Sequence, residues 1–136
     1  MTEVRPARGD DLAAMIAVDE FARTHPERAD EIAGWVAAGA AFVAERDGAI
    51  VGYAALTHAF FHRPFIEMVM VAPAARRGGV GGLLVAHLVQ QAGTEIWTST
   101  NRSNLPMREL LQRTGFTESG FIEGLDPGDP ELVFRR

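Results

Sequence analysis

The sequence predicts an α/β domain: a mixed sheet with helices on both faces. Three observations lead there. Residues 65–93, FIEMVMVAPAARRGGVGGLLVAHLVQQAG, pass from an apolar strand through a glycine-rich turn into an amphipathic helix. The segment Glu95–Thr100 that follows is a strand parallel to the first if the connection is a right-handed crossover. Upstream, Asp47-Gly48 between Ala40–Arg46 and Ala49–Thr57 is a hairpin signal that makes those strands antiparallel. With 136 residues, the chain is one domain, 1–136, with room for a single core.

In chain order, Glu3–Pro6 reads as a short first strand, and Asp10 caps a helix through about Phe21 that turns Leu12, Met15 and Ile16 inward. Pro26 opens a second helix, which runs through Ile32, Trp35 and Val36 to Gly39. After the hairpin, His58–Pro64 reads as an aromatic-rich loop leading into a central strand from Phe65. Beyond the glycine turn, Val80, Leu83, Leu84, His87 and Leu88 fall on one helix face, ending near Gly93. Asn104 or Ser103 caps a last helix in which Met107, Leu110, Leu111 and Thr114 share a face, stopped by Gly115. Phe116–Ile122 and Leu132–Phe134 are the final strands, separated by the turn-rich Leu125–Pro130.

Composition excludes several functions. Without cysteine there is no disulfide, thiolate metal site or cysteine nucleophile. No apolar run is long enough for a membrane span, and the start of the chain lacks a signal-peptide layout, so the expected location is the cytoplasm, with no membrane partner. Residues 1–71 carry eleven acidic and six basic side chains, residues 72–136 seven of each. Neither half has the basic stripe of a nucleic-acid binder, and the acidic half is compatible with attracting a cationic amine.

The glycine turn calls for a physical explanation. Gly79, Gly81 and Gly82 in or near a first helical turn are together unfavourable by about 2 to 3 kcal/mol relative to alanine. An anion held by bare amides at a helix N-terminus, with Arg76 and Arg77 beside it, is the expected compensation. A Walker loop is closed off because every basic residue is arginine. A dinucleotide fingerprint meets Leu84 at its third glycine position. What remains is Arg76-x-x-Gly79-x-Gly81 directly after a strand ending Val71-x-Pro73.

At these residues the chain resembles the GNAT superfamily of acetyl-CoA-dependent N-acyltransferases. Residues 95–116, strand then Asn104 then a helix ending Gly115-Phe116, are similar to that family's second half, and the element order β-α-α-β-β-β-α-β-α-β-β is the family's order. The resemblance implies that the strands around Val71 and Thr98 splay apart for pantetheine, with backbone N–H groups of Val69, Met70 and Val71 as partners. It implies that Arg76, Arg77, Gly78, Gly79, Val80, Gly81 and Gly82 cradle the pyrophosphate, with Asn104 also near the cofactor. A homodimer is a further family expectation, and Trp35, Phe60 and Phe61 are candidates for an exposed apolar patch.

Acyl transfer to an amine requires a base, an oxyanion donor and a tolerable leaving group. Glu67 is the one charge in the central strand, and simple alternation puts it on a face with Phe65, Val69 and Val71, where apolar neighbours should raise its pKa toward that of a useful base. It could instead be a structural carboxylate bonded to an arginine such as Arg63. His58 and His62 are rival bases or pocket residues; their spacing would suit a metal only on a helix, and Pro64 argues against one, so no metal is expected. Where many family members have a general-acid tyrosine, this chain has Leu111, and its single tyrosine, Tyr53, is on another strand. The expected activity is direct acetyl transfer from acetyl-CoA to a primary amine of a small molecule or protein. The alternatives are an acyl-CoA-binding GNAT fold without efficient catalysis and a nucleotide- or anion-binding module without acyl chemistry.

Overall fold

The computed structural model describes residues 1–136. It contains β1 (Thr2–Pro6), α1 (Leu12–Val18), α2 (Pro26–Ala37), β2 (Ala41–Arg46), β3 (Ala49–Phe60), β4 (Arg63–Val71), α3 (Val80–Ala92), β5 (Trp97–Asn101), α4 (Leu105–Arg113), β6 (Thr117–Ile122) and β7 (Glu131–Arg135). The expected element order is therefore found. The strands form one sheet in the order β1-β2-β3-β4-β5-β7-β6, antiparallel except where β5 lies parallel to β4.

Two apolar layers sandwich the sheet. Met15, Ile32, Ala41, Val43 and Tyr53 pack under α1 and α2, while Phe42, Ala44, Ala54, Val80, Leu84, Val85, Leu88 and Leu111 pack under α3 and α4. Successive residues of β2 alternate between the layers, as a strand covered on both faces must. Asp47 and Gly48 both adopt positive φ (52° and 79°), the turn that matches strand twist in a two-residue hairpin. No helix is long and apolar enough to cross a membrane.

Four local readings are corrected. The helix expected to reach Phe21 stops at Val18, because Asp19 turns extended (φ −94°, ψ 103°) and is fully buried. Its Oδ1 accepts from the N–H groups of Phe21 and Ala22 at 3.0 and 3.3 Å. At the helix start the working carboxylate belongs to Asp11 and not Asp10, accepting from the Arg8 N–H at 2.7 Å and from Arg5 at 2.8 and 3.0 Å. On α3 the buried stripe is Val80, Leu84, Val85 and Leu88; Leu83 points outward and is 45% exposed. The expected loop over 58–64 is instead a continuation of β3 and β4, joined by a two-residue turn in which Phe61 and His62 take φ of 53° and 62°. Side chains rarely tolerate that conformation. Here Phe60 stacks on Phe65 (centroids 5.1 Å) and leans on Trp97 (5.6 Å), so aromatic packing holds a turn that has no glycine.

Candidate active site

The central feature of the site is a divergence of two strands. β4 and β5 pair only at Phe65 with Trp97 and Ile66 with Thr98, where the Thr98 hydroxyl donates to the Ile66 carbonyl at 3.0 Å. Beyond that point the edge of β4 has no strand beside it. The N–H of Ala72 reaches back to the Val51 carbonyl of β3 at 2.8 Å, so by alternation Met70 also points toward β3 while the N–H groups of Val69 and Val71 face the opening. The expected splay is present. Of the three residues expected to offer backbone there, two have the direction for it. Unpaired N–H groups along a half-buried edge need an acceptor, and an extended amide-bearing chain supplies one.

Glu67 stands where the strands part, but not on the expected face. Opposite Ala55–Leu56 the register of β4 skips from Met68 to Ile66, leaving Glu67 as the extra residue of a β-bulge. Ile66, Val69 and Val71 consequently pack on the α3/α4 layer, and Met68 and Met70 on the α1/α2 layer. The side chain of Glu67 lies with Thr57, the cross-strand partner of Phe65, whose hydroxyl donates to Glu67 Oε1 at 2.9 Å. Simple alternation fails because a bulge inserts one residue and resets the period. Arg63 pairs with Glu95 and not with Glu67.

Both rival bases are on the surface. His62 is exposed in the hairpin turn, five residues along β4 from Glu67, roughly 16 Å at strand rise. His58 is exposed near the end of β3. Neither imidazole hydrogen-bonds the carboxylate, whose side-chain partner is Thr57. Leu111, where the family pattern has its tyrosine, is fully buried hydrocarbon. Tyr53 is also fully buried, its hydroxyl donating to Asp19 Oδ2 at 2.5 Å, and Arg28 Nη1 reaches the same oxygen at 3.0 Å. Burial, and then the Asp19 carboxylate, push the Tyr53 phenol well above its ordinary range.

The glycine loop opens α3. Arg77 and Gly79 adopt positive φ (68° and 82°) on either side of Gly78, and such alternation curls successive amides into an anion-sized concavity. Gly79 is the N-cap and Val80 is buried in the first turn. For one of these glycines helix packing also accounts for the missing side chain. A methyl group on Gly81 would lie 3.1 Å from Leu110 Cδ2, so its missing side chain helps α3 and α4 to approach, whereas one on Gly82, 3.9 Å from Leu110 Cδ1, would make an ordinary contact. Arg76 leaves the loop sideways: its Nε donates to the Val71 carbonyl at 3.2 Å and its Nη2 pairs with Glu20 at 2.6 Å. Arg77 is exposed and has no carboxylate partner. Asn104 caps α4, accepting from the Met107 N–H at 3.3 Å.

A cavity of about 560 Å³ lies away from this opening, between α4 and β6. Sequence reasoning did not single out Thr57, Arg46, Glu20 or the buried Asp19–Arg28–Tyr53 group. No spacing rule joins them, since each meets its partner across the sheet or between layers. Of the residues expected in an exposed apolar patch, Phe61 is exposed while Trp35 packs against the α1/α2 layer; Phe121 and Leu125 are exposed as well.

The sequence pattern of the acetyltransferase (GNAT) family matches residues 10–116. A GNAT-family acetyltransferase from Bacillus cereus is 31% identical, with 100% of this chain and 96% of that chain aligned and a TM-score of 0.94. The yncA structure from Salmonella typhimurium, solved with its cofactor acetyl-CoA, has the same fold at 20% identity, covering 99% of this chain and 92% of that chain with a TM-score of 0.81. The ribosomal-protein-S18-alanine N-acetyltransferase of Escherichia coli does so at 18% identity, with coverage of 99% and 92% and a TM-score of 0.83. No curated protein matches the chain in sequence.

Proposed function

The chain belongs to the acetyltransferase (GNAT) family, and from that premise we propose that it transfers an acetyl group from acetyl-CoA directly to a primary amine, with Glu67 as the base. The observation that carries the reading is the position of Glu67 at the fork where β4 and β5 separate. Acetyl-CoA supplies the thioester that the amine attacks.

The chain's own residues do the rest. Val69 and Val71 offer N–H groups along the open edge, where they orient an extended amide chain and face a developing oxyanion. The Thr57 hydroxyl occupies Glu67 Oε1, which fixes the carboxylate and leaves Oε2 to take the proton of the attacking amine, directly or through one water. No tyrosine is placed to protonate the departing sulfur, since Tyr53 is committed to Asp19 and Leu111 is buried. A thiolate with a pKa of about 8.5 can leave unaided.

A protein or small-molecule amine fits this reading, and the E. coli neighbour, by its name, acts on a ribosomal protein. A cytoplasmic enzyme that assembles as a homodimer is the matching cellular picture. Free-thiol release from acetyl-CoA across a panel of amine acceptors tests the activity. Release above the rate without acceptor supports the enzyme. A melting temperature raised by acetyl-CoA without release from any acceptor favours the second reading, an acyl-CoA binder, for which the absent tyrosine speaks. Acetyl-CoA should stabilise the fold while ATP and NAD at equal concentration do little.

A further inference from the structure

Resting on the acyl-CoA reading above, we propose that Arg46, at the end of β2, is a diphosphate ligand of the glycine loop and that Thr2 is the residue that aims it. Thr2 and Arg46 face each other across β1 and β2, and the Thr2 hydroxyl accepts from Arg46 Nε at 2.8 Å. This bond turns the far end of the guanidinium toward the loop. A methyl group on Gly78 would lie 3.5 Å from Nη2 and 3.7 Å from Nη1 of Arg46. Gly78 does not have the positive φ that makes Gly79 a glycine by conformation; the Ala75 carbonyl, 3.3 Å from where its Cβ would be, is the tight contact there, and the Arg46 guanidinium lies at ordinary contact distance over the same bare backbone.

The electrostatics point the same way. Arg46 is half-buried and has no carboxylate partner, whereas Arg76, the arginine the loop motif supplies, is held by Glu20. A partly desolvated cation without a counter-charge is unfavourable until an anion joins it. With Nε fixed by Thr2, the two terminal nitrogens form a planar fork suited to two phosphate oxygens. Gly78 lies between the two left-handed residues at the centre of the loop, which assigns the fork to the diphosphate and not to the 3′-phosphate of the nucleotide.

Isothermal titration of the full chain with CoA and with dephospho-CoA, which lacks the 3′-phosphate, tests the assignment. Arg46→Gln should weaken both ligands by about tenfold or more and flatten the salt dependence of binding. Thr2→Val should weaken both by a smaller factor, since the charge remains and only its aim is lost. Arg46→Lys, which keeps a charge for the same place but not the fork, should fall between wild type and Arg46→Gln and guards against a folding defect in the latter. Wild-type affinity for both ligands in Arg46→Gln overturns the proposal, and so does a loss confined to CoA. A wild-type protein that binds neither ligand would instead remove the acyl-CoA reading on which the proposal stands.

Discussion

Glu20 Oε1 lies 2.6 Å from Nη2 of Arg76, so a carboxylate from the segment joining α1 to α2 occupies the arginine of the glycine loop. Glu20 cannot drift far, because its neighbour Asp19 is anchored in the buried layer by Tyr53 and Arg28. An incoming phosphate must compete with this carboxylate for the guanidinium. Glu20→Gln should therefore tighten CoA binding by about two- to fivefold at low salt, the range of an exposed ion pair, and the gain should vanish in an Arg76→Gln background. Unchanged or weaker binding in Glu20→Gln would show that the pair plays no such part.

The base assignment yields a second expectation. Glu67→Gln keeps the shape and the Thr57 contact region but removes the proton acceptor, so turnover with an amine should fall by about 10² to 10⁴ while acetyl-CoA binding persists. Thr57→Val should lower kcat by a smaller factor, because it frees a carboxylate that remains ionisable. His62→Ala, on an exposed turn, should leave kcat nearly unchanged and affect KM at most. A large kcat loss in His62→Ala with Glu67→Gln nearly silent would transfer the role to the imidazole.

Tyr53 gives a spectroscopic expectation because it is the only tyrosine. Its folded-state pKa is raised, first by burial and then by the Asp19 carboxylate. Ultraviolet titration should thus show no tyrosinate around pH 10 in the folded protein. The sign follows from linkage: the contribution to stability is intact below the unfolded value of about 10 and is lost as pH rises above it, so ionisation should coincide with alkaline unfolding. Tyr53→Phe should cost about 1 to 3 kcal/mol by leaving a buried carboxylate oxygen with one partner fewer.

Asp11 governs the acid side. The Arg5 guanidinium, with help from the Arg8 N–H, holds its carboxyl down at about 2. A depressed folded pKa stabilises the protein above the unfolded value of about 4, and that stabilisation is lost as pH falls toward 2. Asp11→Asn should cost on the order of 2 kcal/mol at pH 7, and denaturant melts should show the gap to wild type closing between pH 4 and 2.

Gly81 bears on how the loop should be probed. Because a side chain there meets Leu110 at 3.1 Å, Gly81→Asp should lower the melting temperature without any ligand, separating α3 from α4. Arg46 and Arg76 bear on no such helix contact, so substitutions there probe binding without separating α3 from α4.

What the sequence by itself determined was whatever depends on neighbours along the chain. Asp47-Gly48 specified a turn, Pro26 and Asn104 specified helix starts, and the run from Phe65 through the glycines to Gly93 specified the strand–loop–helix unit and, with it, the family resemblance. These are short-range effects of backbone preference and capping, and no distant contact overrode them. Only the tertiary structure decided matters that depend on contacts across the sheet. The Phe61-His62 turn carries no turn residue and exists because Phe60 finds Phe65 and Trp97. Asp19 breaks its helix because Tyr53 and Arg28 meet it in the buried layer. The face of Glu67 was decided by a bulge, which one strand acquires only in register with another, and the place of Arg46 over Gly78 by pairing between β1 and β2. Local chemistry thus established which elements form and where the glycine loop stands, while long-range packing decided which side chains stand beside it.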